Sequence, residues 1–220
     1  MLVLALDTST PAVTAGVVEL GPDGAETRAE RVTVDARAHG ELLTPHLLEA
    51  VGAAGIALND LAAVVCGSGP GPFTGLRAGL ATAASLGQVL DVPVYPVCGL
   101  DAIAAEASVQ AKLLVVTDAR RREVYWAVYD ADGTRLHGPA VDRPDEIDLT
   151  GVEYVAGHGV QVYPDAFELT AVEPWYPSPR GLVLAAADEL RSGADPAPLT
   201  ARYLRRPDAQ EPGRPKRVLV

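Results

Sequence analysis

A buried strand that runs into a glycine-rich loop and then into a long apolar helix restricts this chain more than any other feature. Leu61 to Cys66 reads as the strand, Gly67-Ser68-Gly69-Pro70-Gly71-Pro72-Phe73-Thr74-Gly75-Leu76-Arg77 as the loop, and Leu76 to Leu90 as the helix, before a further strand at Val92 to Val97. This order belongs to an α/β fold. Glycines such as Gly69 and Gly71 let backbone amides approach an anion, and Thr74 is placed to cap the helix that follows. Two readings fit the loop: a phosphate cradle, or a tight turn stiffened by its two prolines. It lacks the lysine of a P-loop and the spacing of a dinucleotide fingerprint.

The flanking segments extend the pattern. Leu2 to Leu6, Ala12 to Leu20 and a segment around Ala29 to Val34 read as three antiparallel strands, the last two joined by the turn Gly21-Pro22-Asp23-Gly24. Leu43, Leu47, Ala50 and Val51 recur at helical spacing between Gly40 and Ala53, with Pro45 near the helix start. Three strands, helix, strand, helix, strand is the order of a ribonuclease-H-like lobe. After a short helical connector near Asp101 to Ser108, a second cycle begins with strands at Lys112 to Thr117, Glu123 to Asp130 and Arg135 to Val141. A strand at Tyr154 to Ala156 and an amphipathic helix at Gly181 to Arg191 are expected to complete a smaller lobe. The expectation is thus an α/β protein with two ribonuclease-H-like lobes of the actin-like ATPase fold group, the second reduced. The lobes are placed at residues 1–108 and 109–206, and a tail at 207–220, rich in Pro and charge, is expected to be flexible.

Composition narrows the function. The formal charge of -11 repels phosphodiester backbones, so RNA contact would need a basic partner. Aromatic residues make up 5% of the chain, so the interior is expected to be built from small side chains, with Trp126 and Trp175 as exceptions. Cys66 and Cys98 lie in apolar runs and read as reduced core thiols. No apolar stretch reaches membrane-spanning length, and Met1 leads into a strand without a charged signal-type start, so a cytoplasmic protein with no membrane contact is expected.

The string from Gly69 to Ala83 resembles the signature of the TsaB family, also called YeaZ, with a proline where that family usually has serine. Four more segments agree, in order: Leu6 to Ser9, His39 to Pro45, Asp118 to Tyr125 and Ala201 to Arg205. The resemblance implies a non-catalytic subunit of the machinery that makes threonylcarbamoyladenosine beside the anticodon of certain tRNAs. It would pair with a paralogous catalytic TsaD subunit, with a small ATPase, TsaE, as third component and tRNA met only through the complex. A homodimer is expected in isolation, with no cofactor of its own and with ATP or ADP as a candidate at the interface with partners.

The histidines agree with that role. The catalytic paralog is expected to hold a metal with histidines four apart on a helix, whereas His39 and His46 stand seven apart, roughly 10.5 Å of helical rise. No catalytic and no metal-ligating residue is therefore expected. Asp7, at the end of the first strand, is where actin-like ATPases place a carboxylate near magnesium, and Thr8 and Ser9 follow as phosphate donors; the same triplet also makes an ordinary turn. Arg120, Arg121 and Arg122 read by default as a solvated turn, and the resemblance makes Arg120 and Arg121 candidates for a nucleotide or partner contact.

Gly79, Ala83 and Gly87 form a small-residue stripe at steps of four. With the resemblance, the stripe and the residues Leu43, Leu47, Ala50 and Leu76 are expected to build an intermolecular helix bundle, while Leu80 and Ala84 face the sheet. The stripe packing within its own lobe is the alternative. The competing function is an actin-like-fold ATPase or a metalloprotease-like enzyme active by itself; a small-molecule kinase is disfavoured by the short second lobe.

Overall fold

Side-chain alternation along the first strand decides how the first half of the chain packs. In the computed structural model, which describes residues 1–205, Val3 and Ala5 of β1 (Leu2–Asp7) enter one core and Leu4 and Leu6 enter the other, all fully buried. β2 (Ala12–Gly21) and β3 (Gly24–Val34) follow as antiparallel neighbours, and β4 (Ala63–Gly67) and β5 (Val94–Val97) extend the sheet in parallel, giving the order β3-β2-β1-β4-β5. β3 starts well before the expected Ala29, because hairpin pairing runs back to Gly21 opposite Gly24.

On one face α1 (His39–Ala53) and α2 (Phe73–Leu90) bury Leu43, Leu47, Val51 and Ala83 against Leu4, Leu6, Val64 and Cys66. The opposite face is covered by α3 (Gly99–Glu106), which contributes Ala102 there. Leu100 and Ile103 of the same helix enter a different core, with Leu113, Val115 and Tyr129. The expected connector is therefore a shared layer between two sheets.

The second sheet is built from β6 (Leu113–Asp118), β7 (Val124–Tyr129), β8 (Arg135–Asp142), β9 (Tyr154–Ala156) and the two-residue β10 (Thr170–Ala171). Its order, β8-β7-β6-β9-β10, with β6, β7 and β8 antiparallel and β9 and β10 parallel to β6, repeats that of the first sheet. Both halves are thus ribonuclease-H-like. The second is reduced: only a short 3-10 turn (Pro144–Glu146) lies between β8 and β9, and α4 (Gly159–Val162) is a single turn.

One expectation is corrected here. The amphipathic segment Gly181 to Arg191 does not complete the second lobe. It forms α5 (Pro179–Ala185) and α6 (Ala187–Ser192), whose Leu182, Val183, Ala186 and Leu190 pack with Val3, Ala5, Val18 and Val65 of the first sheet. The first sheet is larger and leaves an apolar face that α3 alone does not cover, so the chain returns to it. Gly16 allows this contact, since a Cβ there would lie within 3.0 Å of Pro179. Both tryptophans are only half-buried, and Cys66 and Cys98 are free and buried. Among the described residues no helix is long and apolar enough to cross a membrane. The tail assigned to residues 207–220 lies outside the described residues.

Candidate functional site

Asp7 closes β1 at the carboxyl edge of the first sheet, where the parallel strand β4 ends beside it. Its carboxylate accepts from the Ser9 backbone N–H at 2.9 Å and from Ser9 Oγ at 2.8 Å, and it is fully buried. Burial pushes Asp7 up to about 6, against the lowering effect of the Ser9 hydrogen bonds and of His39. Gly67 must be glycine at this point, because a Cβ would overlap the Asp7 carboxylate.

The glycine-rich loop seals the same turn from outside. A Cβ on Gly71 would run into the Ser9 carbonyl, one on Gly75 would stand 2.5 Å from the Thr8 carbonyl, and Thr8 Oγ1 donates to the Gly75 carbonyl at 2.7 Å. Ser68 Oγ donates to the Val97 carbonyl at 3.0 Å, and Gly69 turns with φ +98, in the region that favours glycine. Asp7, Thr8, Ser9, Gly69 and Gly71 are therefore brought together, with Asp7 bonded to Ser9 and Thr8 to the Gly75 carbonyl, and Thr8 and Ser9 are buried. Thr74 is corrected: Pro72 is the N-cap, α2 starts at Phe73, and Thr74 is an exposed first-turn residue with no capping bond. The extended backbone of Pro72 (φ -64, ψ 141) leads directly into the helix and sets the capping position two residues before Thr74.

A strap that sequence reasoning did not assign to the site crosses the loop. The Arg202 N–H donates to the Ser68 carbonyl at 2.8 Å, the Tyr203 ring lies 4.4 Å from that of Phe73, and Arg77 Nε donates to the Tyr203 hydroxyl at 3.2 Å. Arg205 continues to the second lobe, donating to the Ala119 carbonyl at 2.6 Å and pairing with Glu123. Arg120 and Arg121 sit in that β6–β7 turn, between Ala119 and Glu123, which hold Arg205 of the strap. Arg120, Arg121 and Arg122 all hold positive φ, 61, 55 and 62, while Asp118 accepts from the Arg120 N–H at 2.8 Å. The only sequence signal for the strap was the segment Ala201 to Arg205; no periodicity marks it.

The small-residue stripe faces inward, which corrects the expected docking surface. Gly79 meets Thr8 and Leu6, Gly87 meets Val94, Ala83 is fully buried, and Gly75 extends the stripe by one step. Leu76, Leu43, Leu47 and Ala50 are buried as well. Helix α2 lies so close to β1 and β5 that residues with little or no side chain are required at closest approach. Ala84, expected to face the sheet, is exposed, as are Ala81, Ser85 and Gln88; Val89 of α2 and Leu48 of α1 are 81% and 54% exposed.

Both α1 histidines are engaged in hydrogen bonds within the first lobe. His39 Nε2 lies 2.7 Å from the Thr10 carbonyl and His46 Nε2 2.9 Å from Thr33 Oγ1. Among the described residues no group of three His, Cys, Asp or Glu side chains could hold an ion. His158, 4% exposed, accepts from the Asp118 N–H at 3.3 Å and is held at about 4 by burial, hence neutral near pH 7.

These features define a two-lobed protein of the actin-like fold group in which the turn from Asp7 to Ser9 is packed beneath its own glycine loop. Residues 29–194 match a family profile described as TsaD, tRNA N6-adenosine threonylcarbamoyltransferase. The tRNA threonylcarbamoyladenosine biosynthesis protein TsaB of Escherichia coli is 33% identical over 177 residues, covering 75% of this chain and 74% of that protein. An uncharacterized protein of Mycobacterium tuberculosis is 53% identical over 210 residues, covering 94% of this chain and 93% of its own. A Mycobacterium leprae protein is 52% identical over 95% of this chain, which spans 56% of that relative's length. The structure of YeaZ from Pseudomonas aeruginosa superposes with a TM-score of 0.77 at 26% identity, over 92% of this chain and 99% of that one. The chain belongs to the TsaB (YeaZ) family.

Proposed function

We propose that this chain is a non-catalytic scaffold and activator in threonylcarbamoyl transfer to the adenosine beside the tRNA anticodon, acting by association with a TsaD-type catalytic subunit. The observation that carries this reading is the closed turn: Asp7, Thr8 and Ser9, the groups an actin-like ATPase would turn toward nucleotide and magnesium, are buried and bonded to one another and to the loop. On this reading the chain contributes by binding preferentially to the active conformation of its partner, which shifts that partner's population. A TsaE-type ATPase would join the same assembly, any ATP or ADP would sit between subunits, and tRNA would be met through the complex, because the charge of -11 disfavours RNA on this chain.

The docking face we assign is the outer side of α1 and α2, with Leu48, Ala81, Ala84 and Val89 as its apolar and small positions; a second copy would use the same face in isolation. Reconstitution of the modification from purified components tests the function. Product should form with this chain and fail without it. ATP turnover by the isolated chain, or stoichiometric metal in it, would overturn the scaffold reading. Ala84→Trp should keep the isolated fold and abolish co-elution with the TsaD-type subunit; an unchanged complex would refute the docking face.

A further inference from the structure

The second lobe carries a cleft of about 600 Å³ walled by Arg122, Arg143, Pro144, Asp145, Tyr163 and Asp165. Its size lies within the range of small-molecule sites. Strand register explains why two arginines meet there: Val124 of β7 pairs with Asp142 of β8, so continuing the antiparallel ladder sets Arg122 beside the Arg143–Pro144 step. Arg122, Arg143, Asp145 and Asp165 are all exposed, and the other nearby acids are engaged elsewhere. Glu123 pairs with Arg205, Asp118 accepts from Tyr163 Oη at 3.0 Å, and Asp142 accepts from Trp126 Nε1 at 2.8 Å. Among the described residues neither Arg122 nor Arg143 forms an ion pair, although Asp145 and Asp165 line the same cleft. Arg122, which lines the cleft, is also held at φ 62, a backbone conformation that non-glycine residues adopt at a cost.

We infer that this cleft binds a small metabolite carrying an oxyanion at one end and hydroxyl or ammonium donors at the other. Arg122 and Arg143 grip the oxyanion by charge-assisted hydrogen bonds, and Asp145 and Asp165 accept from the donors. The two acids also discriminate, since a bare anion would meet their repulsion with nothing to offer them.

Titration of the full-length chain, followed by backbone amide NMR, tests this with ribose 5-phosphate for a phosphate head and L-serine for a carboxylate head. Saturable shifts confined to Arg122, Arg143–Asp145 and Tyr163–Ala166 with either probe support the site, and the probe that binds names the head group. Arg122→Gln and Arg143→Gln should each weaken binding about tenfold or more, with unchanged circular dichroism. Asp165→Asn, a milder exposed change, should narrow the preference for ribose 5-phosphate over inorganic phosphate. Absence of shifts with both probes, shifts that persist in the arginine variants, or inorganic phosphate binding as tightly as ribose 5-phosphate would overturn the inference.

Discussion

Replacing Gly79 by alanine separates the two possible orientations of the α2 stripe by the sign of its effect. If the stripe faced solvent or a partner, the change would stabilise the isolated chain by about 1 kcal/mol, the helix-propensity difference between glycine and alanine. In the structure a Cβ at Gly79 would stand less than 3.0 Å from Thr8 Oγ1 and 3.6 Å from Leu6 Cδ1, where ordinary contact begins at 3.4 Å. Either α2 lifts off β1, an overpacking cost of about 1–3 kcal/mol, or the Thr8 hydroxyl turns away. Turning away sacrifices its 2.7 Å bond to the Gly75 carbonyl and strands buried polar groups, at about 1–3 kcal/mol. After the propensity gain is subtracted, the net loss is roughly 1 kcal/mol, which in a chain of this size lowers the melting temperature by roughly 2–4 °C. Urea denaturation should show a lower midpoint with an unchanged slope. A Gly79→Ala variant as stable as the parent, or more so, would refute the inward packing and restore the stripe as a free surface.

Three further outcomes follow from the same site. Asp7 titrates at about 6 in the folded chain against 3.8 for an unperturbed carboxyl, so the folded state binds the extra proton between those values. Its contribution is complete below about pH 4 and is lost as pH rises through about 6, on the order of 3 kcal/mol; Asp7→Asn should remove that slope from the stability profile, and an unchanged profile would contradict the burial. Burial raises both thiols, Cys98 to about 11 and Cys66 further, so neither should react with a thiol reagent at pH 8 until urea unfolds the chain; rapid native labelling would refute this. Tyr203→Ala removes the Phe73 ring contact and the Arg77 bond, costing about 1–2 kcal/mol, and should speed amide exchange in Ser68–Thr74; unchanged exchange would show that the strap does not hold the loop.

Most of the architecture was legible because it is written in local periodicity. The apolar run of Leu2 to Leu6, the turn at Gly21 to Gly24 and the apolar repeat of α1 each fix an element from a few neighbouring residues. The two-residue β10 was not legible, since pairing with β9 and not its own sequence makes Thr170 and Ala171 a strand. Nor was the destination of α5 and α6, because an amphipathic helix announces that it will be buried without naming the sheet that buries it.

By itself the sequence determined that a strand, a glycine-rich loop and a helix stand in succession within a repeated ribonuclease-H-like order, and that Asp7, Thr8 and Ser9 lie at the end of its first strand. Only the tertiary structure decided which way these groups face. A stripe of Gly79, Ala83 and Gly87 permits close approach on either side of a helix, and the sheet, being nearer than any partner, takes it. A loop rich in glycine amides can hold a phosphate or its own chain, and here the carbonyls of Ser9 and Thr8 pack directly against Gly71 and Gly75. Direction and occupancy depend on contacts between residues far apart in the chain, such as Thr8 with Gly75 and Ser68 with Arg202, and no local pattern encodes them.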